Sequence, residues 1–420
     1  MTFFMRFQFD GEFDEAQFKR AYFAVIKDHS LLSSRVEGVA TGRRSGLHWN
    51  NVPPDESSLV FLTSNDMSDD WTERIDLHQS TGLRIYVTRT ENRSSILAQI
   101  HHACSDAIGI IDFLDALLKT YAMGEAHKPA TNTDLIKQRG NLILKSGSLI
   151  GHLQKSFERV RRFATFKPEP LASASIESPQ PKILPTLYNT FSEETTLAIV
   201  EKAKFLNATV NDLLVRDFFL ELDLWNRVHD QRRLLRIAIP VNLRQAQHQH
   251  MPAANIVSLV FLDRSEGELD NSDTLLDSIV RETTRIKQNQ LALTMPRLAR
   301  TLGAIPHGIQ RLTGSPNCST CRTTAVLSNL GKISPPNEIE GGYPQLKAIE
   351  LYPPMRPETH ISVGICTFAA KLTVSVNFNR QAFTHDMAQK LLDSFVKRIQ
   401  STSVIPAFGN KLERSIAVDK

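Results

Sequence analysis

The stretch from Ser95 to Gly109, SILAQIHHACSDAIG, joins two kinds of hydrophobic pattern. Ser95 to His101 is rich in β-forming residues and predicts a strand. Apolar residues then recur at helical spacing: Ile110, Phe113, Leu114, Leu117 and Tyr121. The sequence therefore predicts a strand, a tight loop that carries His101 and His102, and a helix that begins just after Asp106.

The two histidines and the aspartate of this loop form a compact set of groups for proton transfer. A neutral imidazole accepts a proton near working pH, so His102 is our candidate general base. Neighbouring loop residues point in different directions, and we expect His101 to support the loop instead. Asp106 is expected to anchor the loop by pairing with an arginine or with backbone donors. Arg84 and Arg35 are the candidate arginines, and Arg84 is predicted to be loop-supporting.

Patterns on either side of the loop predict a mixture of strands and helices. A β-rich run from Leu83 to Arg89 precedes the strand, and the residues between the two runs favour an antiparallel hairpin. Phe3 to Phe9 predicts a further strand. In the second half, Thr209 to Asp212 matches the Ser/Thr-x-x-Asp pattern that begins a helix. Each half is thus expected to be an α/β layer.

A change in composition divides the chain. Lys137 to Lys167 is strongly basic, and prolines are frequent from there to Pro185, which is typical of a linker. We predict an N-terminal subdomain at residues 1–165, a proline-rich linker at 166–188 and a C-terminal subdomain at 189–420. The basic stretch is either a solvated helix face or a docking surface for an acidic carrier protein, the phosphates of coenzyme A or anionic lipid.

His101 to Ala107 resembles the His-His-x-x-x-Asp-Gly motif of nonribosomal peptide condensation domains, wax ester synthases, polyketide-associated acyltransferases and their chloramphenicol-acetyltransferase-like relatives. Ala107 stands where that motif has glycine. The segments ATVNDLLVRDFF, IAIPVNLR and LSNLG are similar to further motifs of these enzymes, in the same order. The opening segment FDGEFDEAQFKRAYFAVIKDHSLLSSRV also resembles theirs, with Ser33 in place of an arginine.

The resemblance implies two chloramphenicol-acetyltransferase-like subdomains that form a V-shaped pseudodimer with a channel between them. It also implies that His102 is catalytic and that Asp106 is structural. Ser328 and Asn329 lie in the LSNLG segment, where the second half is expected to cross towards the first. They are our candidates for stabilising the oxyanion of the reaction.

The implied activity is that of a stand-alone acyltransferase. The donor would be a thioester, as acyl-CoA or on the phosphopantetheine of an acyl carrier protein, and the acceptor a hydroxyl or amine, without a cofactor. Two alternatives remain open, an amide-forming condensation enzyme and an inactive binding or scaffold protein. Ala107 and Ser33 favour the inactive protein, whereas His102 and Asp106 count against it.

The bulk composition is that of a globular protein. The 420 residues carry a formal net charge of +4, with 41% hydrophobic and 22% charged residues, which offers no argument for nucleic-acid binding. The sequence shows no signal peptide and no apolar run of the ~20 residues that span a membrane. Four cysteines are too few for a disulfide framework, and Cys318 and Cys321 lack a second ligand pair for a metal. We therefore expect a metal-free, cytoplasmic monomer.

Overall fold

Two β-sheets organise the part of the chain that the computed structural model describes. That part comprises residues 1–38, 40–41, 44–63, 74–124, 131–136, 157, 161–162, 165–173, 186–231, 233–297, 323–334, 344–355 and 359–404. Its strands are β1 Thr2–Asp10, β2 Ser34–Glu37, β3 Ala40–Thr41, β4 Arg44–Ser45, β5 His48–Asn51, β6 Leu59–Thr63, β7 Leu83–Thr90, β8 Arg93–His101, β9 Leu187–Thr190, β10 Leu235–Asn242, β11 Val257–Arg264, β12 Ala325–Lys332, β13 Gln345–Tyr352, β14 Ile361–Phe368 and β15 Lys371–Phe378. Its helices are α1 Glu15–Val25, α2 Ala107–Met123, α3 Glu193–Phe205, α4 Val210–Val228, α5 Glu266–Leu269, α6 Ser272–Gln288 and α7 His385–Ser403.

The first sheet has five strands in the order β13-β1-β8-β7-β6. Strands β7 and β8 form the predicted antiparallel hairpin, with Asn92 in the left-handed region at its turn (φ 58°). Helices α1 and α2 pack on this sheet through buried rings such as Phe18, Tyr22 and Phe113. The expected α/β layer of the first half is therefore confirmed.

The second sheet has six strands in the order β11-β10-β12-β14-β15-β9. Strand β12 runs parallel to β10 and β14, and the other neighbours in the sheet are antiparallel. The predicted capping box at the start of α4 is confirmed: the Thr209 side chain accepts from the Asp212 amide, and the Asp212 carboxylate accepts from the Thr209 amide. Helices α4 and α7 pack together beside this sheet.

Two segments of the second half of the chain pack into the first half. Strand β13 follows β12 in sequence, yet it pairs with β1 in the first sheet. It also lies directly on the second sheet, because Gly364 of β14 packs against the Leu351 carbonyl of β13. In addition, Met251, Ala253 and Ala254, which follow β10, are buried in the core of the first half. The junction between the sheets is thus built from both halves.

The predicted linker begins with residues that are already packed. Leu171 and Ala172 are buried, and the Trp225 indole of α4 donates a hydrogen bond of 2.9 Å to the Ala172 carbonyl. Strand β9 pairs with β15 in the second sheet. Residues 174–185 lie outside the described ranges, and the subdomain boundaries at 165 and 188 stay a prediction.

Two further observations concern the described ranges as a whole. None of their helices is both long enough and apolar enough to span a bilayer. They also contain no group of three or more His, Cys, Asp or Glu side chains placed to hold a metal ion. Cys318 and Cys321, the cysteine pair that was weighed as a metal site, lie outside them.

Gly364 provides a test of how closely β13 rests on the second sheet. A Cβ at this position would lie 2.7 Å from the carbonyl carbon of Leu351 and would overlap its oxygen. Gly364→Ala is therefore expected to destabilise the protein by about 1–3 kcal/mol or more, as overpacking of a core does. Gly267→Ala is the control, because a Cβ there meets nothing within 4 Å. Denaturant midpoints of the two variants measure the difference, and equal midpoints would contradict this packing.

Candidate functional site

A cavity of about 440 Å³ lies between the two sheets and has walls from both halves of the chain. Most of its wall is apolar. The polar side chains in it include His101, His102, Asp106, Asn242, Asn255, Ser328 and Asn329. The loop residues and the two oxyanion candidates that the sequence predicted are thus brought to one cavity.

His102 is held in one tautomer by its surroundings. Its Nδ1 lies 3.0 Å from the Ser105 carbonyl oxygen, which can only accept. The Asn255 amide nitrogen is also 3.4 Å from Nδ1, but its shorter contact is with the His102 carbonyl oxygen. The geometry therefore favours a proton on Nδ1 and a free lone pair on Nε2. The Asn255 amide donates to the His102 carbonyl oxygen at 2.7 Å, and the Phe3 ring packs 5.1 Å from the imidazole. Burial lowers the pKa of His102 below its usual range, although Ser105 and Asp106 oppose this. A neutral imidazole with a free Nε2 can accept a proton.

His101 has a different environment from its neighbour. Its Nδ1 accepts a hydrogen bond of 3.2 Å from the Ala103 amide, within the loop itself. Burial is the main cause that lowers the pKa of His101 to about 4, so this ring is neutral at physiological pH. On its other side, His101 Nε2 lies 3.1 Å from the amino group of Met1. The loop-supporting role of His101 stays a prediction.

The Asp106 carboxylate is buried, and both of its oxygens accept hydrogen bonds from the protein. Oδ1 accepts from the Gly109 amide at 2.9 Å and so caps helix α2. Oδ2 accepts from the Ile256 amide at 2.8 Å and from Arg244 Nη1 at 2.7 Å. Arg244 also donates to the Ala254 carbonyl at 2.9 Å. The carboxylate therefore anchors the loop to the second half.

The ion-pair partner of Asp106 was predicted wrongly. The partner is Arg244, whereas Arg84 donates to the Ser80 hydroxyl at 3.4 Å and Arg35 lies on β2. Arg244 is 138 positions from Asp106, and no local pattern connects them. The signal that could have found it is its position as the final arginine of the IAIPVNLR segment.

Ala107 is accommodated without strain. It is the first residue of helix α2, where the backbone is ordinary and right-handed, so no glycine is required there. The need for glycine lies at Gly109, where a Cβ would sit 2.5 Å from the Ser105 hydroxyl and 3.1 Å from the Ala254 amide. The close approach of α2 to the second half thus depends on Gly109.

Ser328 and Asn329 lie on β12 and face the same cavity as His102. The Asn329 amide donates to the Asn211 side chain at 3.4 Å, and its oxygen accepts from the Gly331 amide at 2.8 Å. Their role at the oxyanion stays a prediction. Asn255, which orients the His102 loop, was missed by the sequence analysis.

One arginine of the basic stretch is bound to the second half of the chain. Most of residues 137–167 lie outside the described ranges. Arg162, however, donates to the Asp263 carboxylate at 3.2 Å and to its carbonyl at 3.0 Å. This arginine is therefore part of the ionic network of the second half.

Comparison with known proteins supports the fold. No protein-family model matches the chain. Solved structures similar to it include the first condensation domain of the calcium-dependent antibiotic synthetase in complex with a substrate analogue (TM-score 0.66, 13% identity, 97% of this chain and 92% of that one). Others are the epimerization domain from the third module of tyrocidine synthetase B (0.63, 12%, 96% and 91%) and the condensation domain of the Monacolin K polyketide synthase MokA (0.64, 12%, 97% and 93%).

Among curated proteins, the chain is similar to the uncharacterized protein Rv2305 of Mycobacterium tuberculosis strain H37Rv, with 24% identity over 295 residues. The protein MT2362 of strain CDC 1551 matches to the same extent. The match covers 67% of this chain and spans 66% of the length of these relatives. The chain has the mixed α/β fold of these condensation and epimerization domains, as the sequence resemblance implied.

The Asp106–Arg244 pair can be tested by a double-mutant cycle. Removal of one partner leaves a buried charge without compensation, so Asp106→Ala should lower the free energy of unfolding by about 3–5 kcal/mol. Arg244→Met in the same chain should restore part of that loss, because the uncompensated charge is then gone. The matched control is the half-exposed Asp115–Lys119 pair of α2, whose cycle should yield less than about 0.5 kcal/mol. Additive effects of Asp106→Ala and Arg244→Met would show that the pair is not coupled.

Proposed function

We propose that this protein is an acyltransferase that moves an acyl group from a thioester to a hydroxyl or amine, with His102 as the general base. The observation that carries the proposal is the environment of His102. The imidazole lines the cavity, its Nδ1 is engaged by the Ser105 carbonyl, and burial keeps it neutral. Nε2 is therefore the proton acceptor in a cavity large enough for a small-molecule substrate.

The proposed reaction takes place in two steps, and the proton that His102 removes in the first is returned in the second. His102 Nε2 removes the proton from the acceptor as its oxygen or nitrogen bonds to the acyl carbon, which forms a tetrahedral oxyanion. Ser328 and Asn329, on the wall of the same cavity, are the proposed donors to that oxyanion. The carbon–sulfur bond then breaks, and the imidazolium returns the proton to the departing thiolate. The enzyme itself forms no covalent intermediate.

The proposed partners follow from this chemistry. The donor is acyl-CoA or an acyl group on a carrier protein, and the acceptor is a small alcohol or amine. The reaction needs neither a cofactor nor a metal, and both thioester donors are cytoplasmic compounds. The structure removes one argument for an inactive binding protein, because Ala107 occupies an ordinary helical position and Asp106 is fully anchored. An amide-forming condensation enzyme corresponds to the case in which the acceptor is an amine.

His102→Ala tests the proposal directly. The loss of a general base is expected to lower turnover by about two to four orders of magnitude. The measurement is release of free thiol from a panel of acyl thioesters with pooled alcohols and amines. His48→Ala is the control, since that side chain is 66% exposed and lies on β5. The proposal fails if His102→Ala releases thiol as fast as the wild-type protein.

The pH dependence of turnover provides a second test. The base must be neutral, and the pKa of His102 is lowered from 6.5 by burial. Activity should therefore persist as the pH falls through 6.5 and should decline only at a lower pH, where His102 becomes protonated. The measurement is kcat/KM from pH 4.5 to 8.5 at constant ionic strength. A decline that begins above pH 6.5 would contradict the assigned environment of His102.

A further inference from the structure

One face of the second sheet forms a regular apolar wall of the cavity. Strands β10 and β11 pair antiparallel, and alternate residues of both strands face the cavity. Leading away from the His102 side, the facing pairs are Asn242 with Val257, Pro240 with Leu259, and Ala238 with Phe261. On β12, Val326 pairs with Ala238 and extends the apolar surface to a third strand. The wall is thus polar at one end and apolar along the rest of its length.

The apolar wall ends at a buried ion pair. The next facing pair is Arg236 with Asp263, both almost fully buried and joined by hydrogen bonds of 2.6 and 2.9 Å. The Arg236 guanidinium also lies 5.7 Å from the centre of the Phe261 ring. Because the two charges bind each other, neither is offered to a polar group of a ligand. Beyond Phe261, an entering chain would meet an occupied ionic network.

Phe261 lines this cavity and a second one. Together with Leu259, it contributes to the wall of the cavity of about 440 Å³ and to that of a neighbouring cavity of about 40 Å³, whose walls include Arg236 and Asp263. The Phe261 ring therefore closes the wall at the point where its apolar pairs end. Ala238, directly opposite in register, leaves room in front of the ring.

The length of the wall sets a scale for the substrate. Phe261 is four positions after Val257, and a strand rises about 3.3 Å per residue, so the wall is about 13 Å long. An extended alkyl chain with bonds of about 1.5 Å advances about 1.3 Å per carbon. The wall therefore matches a chain of about ten carbons.

We infer that the trough formed by Pro240, Leu259, Ala238 and Val326 binds the alkyl chain of the acyl group and that Phe261 sets the maximum chain length. This inference rests on the proposed function and names its substrate class as medium-chain, unbranched acyl thioesters. A polar acyl group, such as an aminoacyl group, would place unpaired donors against the apolar wall at a cost of about 1–3 kcal/mol each. The acyl carbonyl lies at the Asn242 end of the trough, near His102.

Two substitutions with opposite effects test the inference. Phe261→Ala removes a ring that lines both cavities and opens space towards the second, so the ratio of kcat/KM for a C14 donor to that for a C10 donor should rise by about tenfold. Ala238→Val adds volume in front of the ring, so the ratio for C10 to C6 should fall by a similar factor. The matched control is Phe205→Ala, at a phenylalanine that is 52% exposed on α3, and it should leave both ratios unchanged. If one variant does not fold, the other still determines the outcome.

A measurement without turnover separates this inference from the proposed function. Ligands that bind the folded state raise its melting temperature, so saturated fatty acids from C6 to C16 are used as probes. The melting temperature of the wild-type protein should rise most with a fatty acid near C10. That of Phe261→Ala should rise most with a longer fatty acid. Wild-type protein that shows this pattern but transfers no acyl group would overturn the proposed function and support the trough.

Two outcomes would overturn the trough itself. In the first, acyl transfer occurs but Phe261→Ala and Ala238→Val both leave the acyl-length profile as in the wild-type protein. In the second, the two substitutions change the preferred length of the alcohol acceptor and leave that of the acyl donor unchanged, which would assign the trough to the acceptor.

Discussion

The geometry of the site depends on the hydrogen bonds of the buried Asp106 carboxylate. It caps helix α2 through Gly109, binds Arg244, and accepts the backbone amide of Ile256. A buried carboxylate is costly unless its charge and hydrogen bonds are satisfied, and two of its three donors come from the second half of the chain. The loop that presents His102 can therefore keep its shape only when the halves are joined at this point. Stability and the geometry of the site are coupled for that reason.

The same junction also produces the cavity. Strand β13 leaves the second half to pair with β1, and the segment after β10 enters the first core with Ala253 and Ala254. These two segments hold the sheets together near the His102 loop. Alternate side chains of β10 and β11 then face the cavity between the two sheets. The first half provides His102, the proposed base, and the second half provides most of the apolar wall.

Local patterns in the sequence predicted local structure well. The hairpin, the helix after Asp106 and the cap at Thr209 each depend on residues a few positions apart, and all are present. Contacts between distant segments were beyond such patterns. The partner of Asp106 lies 138 positions away, and the place of β13 in the first sheet depends on a crossover that strand propensity does not encode. Resemblance to known motifs supplied the two-lobe fold, yet it placed the requirement for glycine at position 107 instead of Gly109.

The most direct test of the account is the tautomer of His102, because the proposed chemistry requires a bare Nε2 in a ring fixed by the Ser105 carbonyl. Long-range nitrogen–proton correlation spectra of protein labelled with ¹⁵N in its histidine rings, recorded near pH 7.5 and assigned with His102→Ala, distinguish the two nitrogens. The account predicts a neutral ring with a protonated Nδ1 and an unprotonated Nε2. A ring protonated at Nε2, or at both nitrogens, would contradict it.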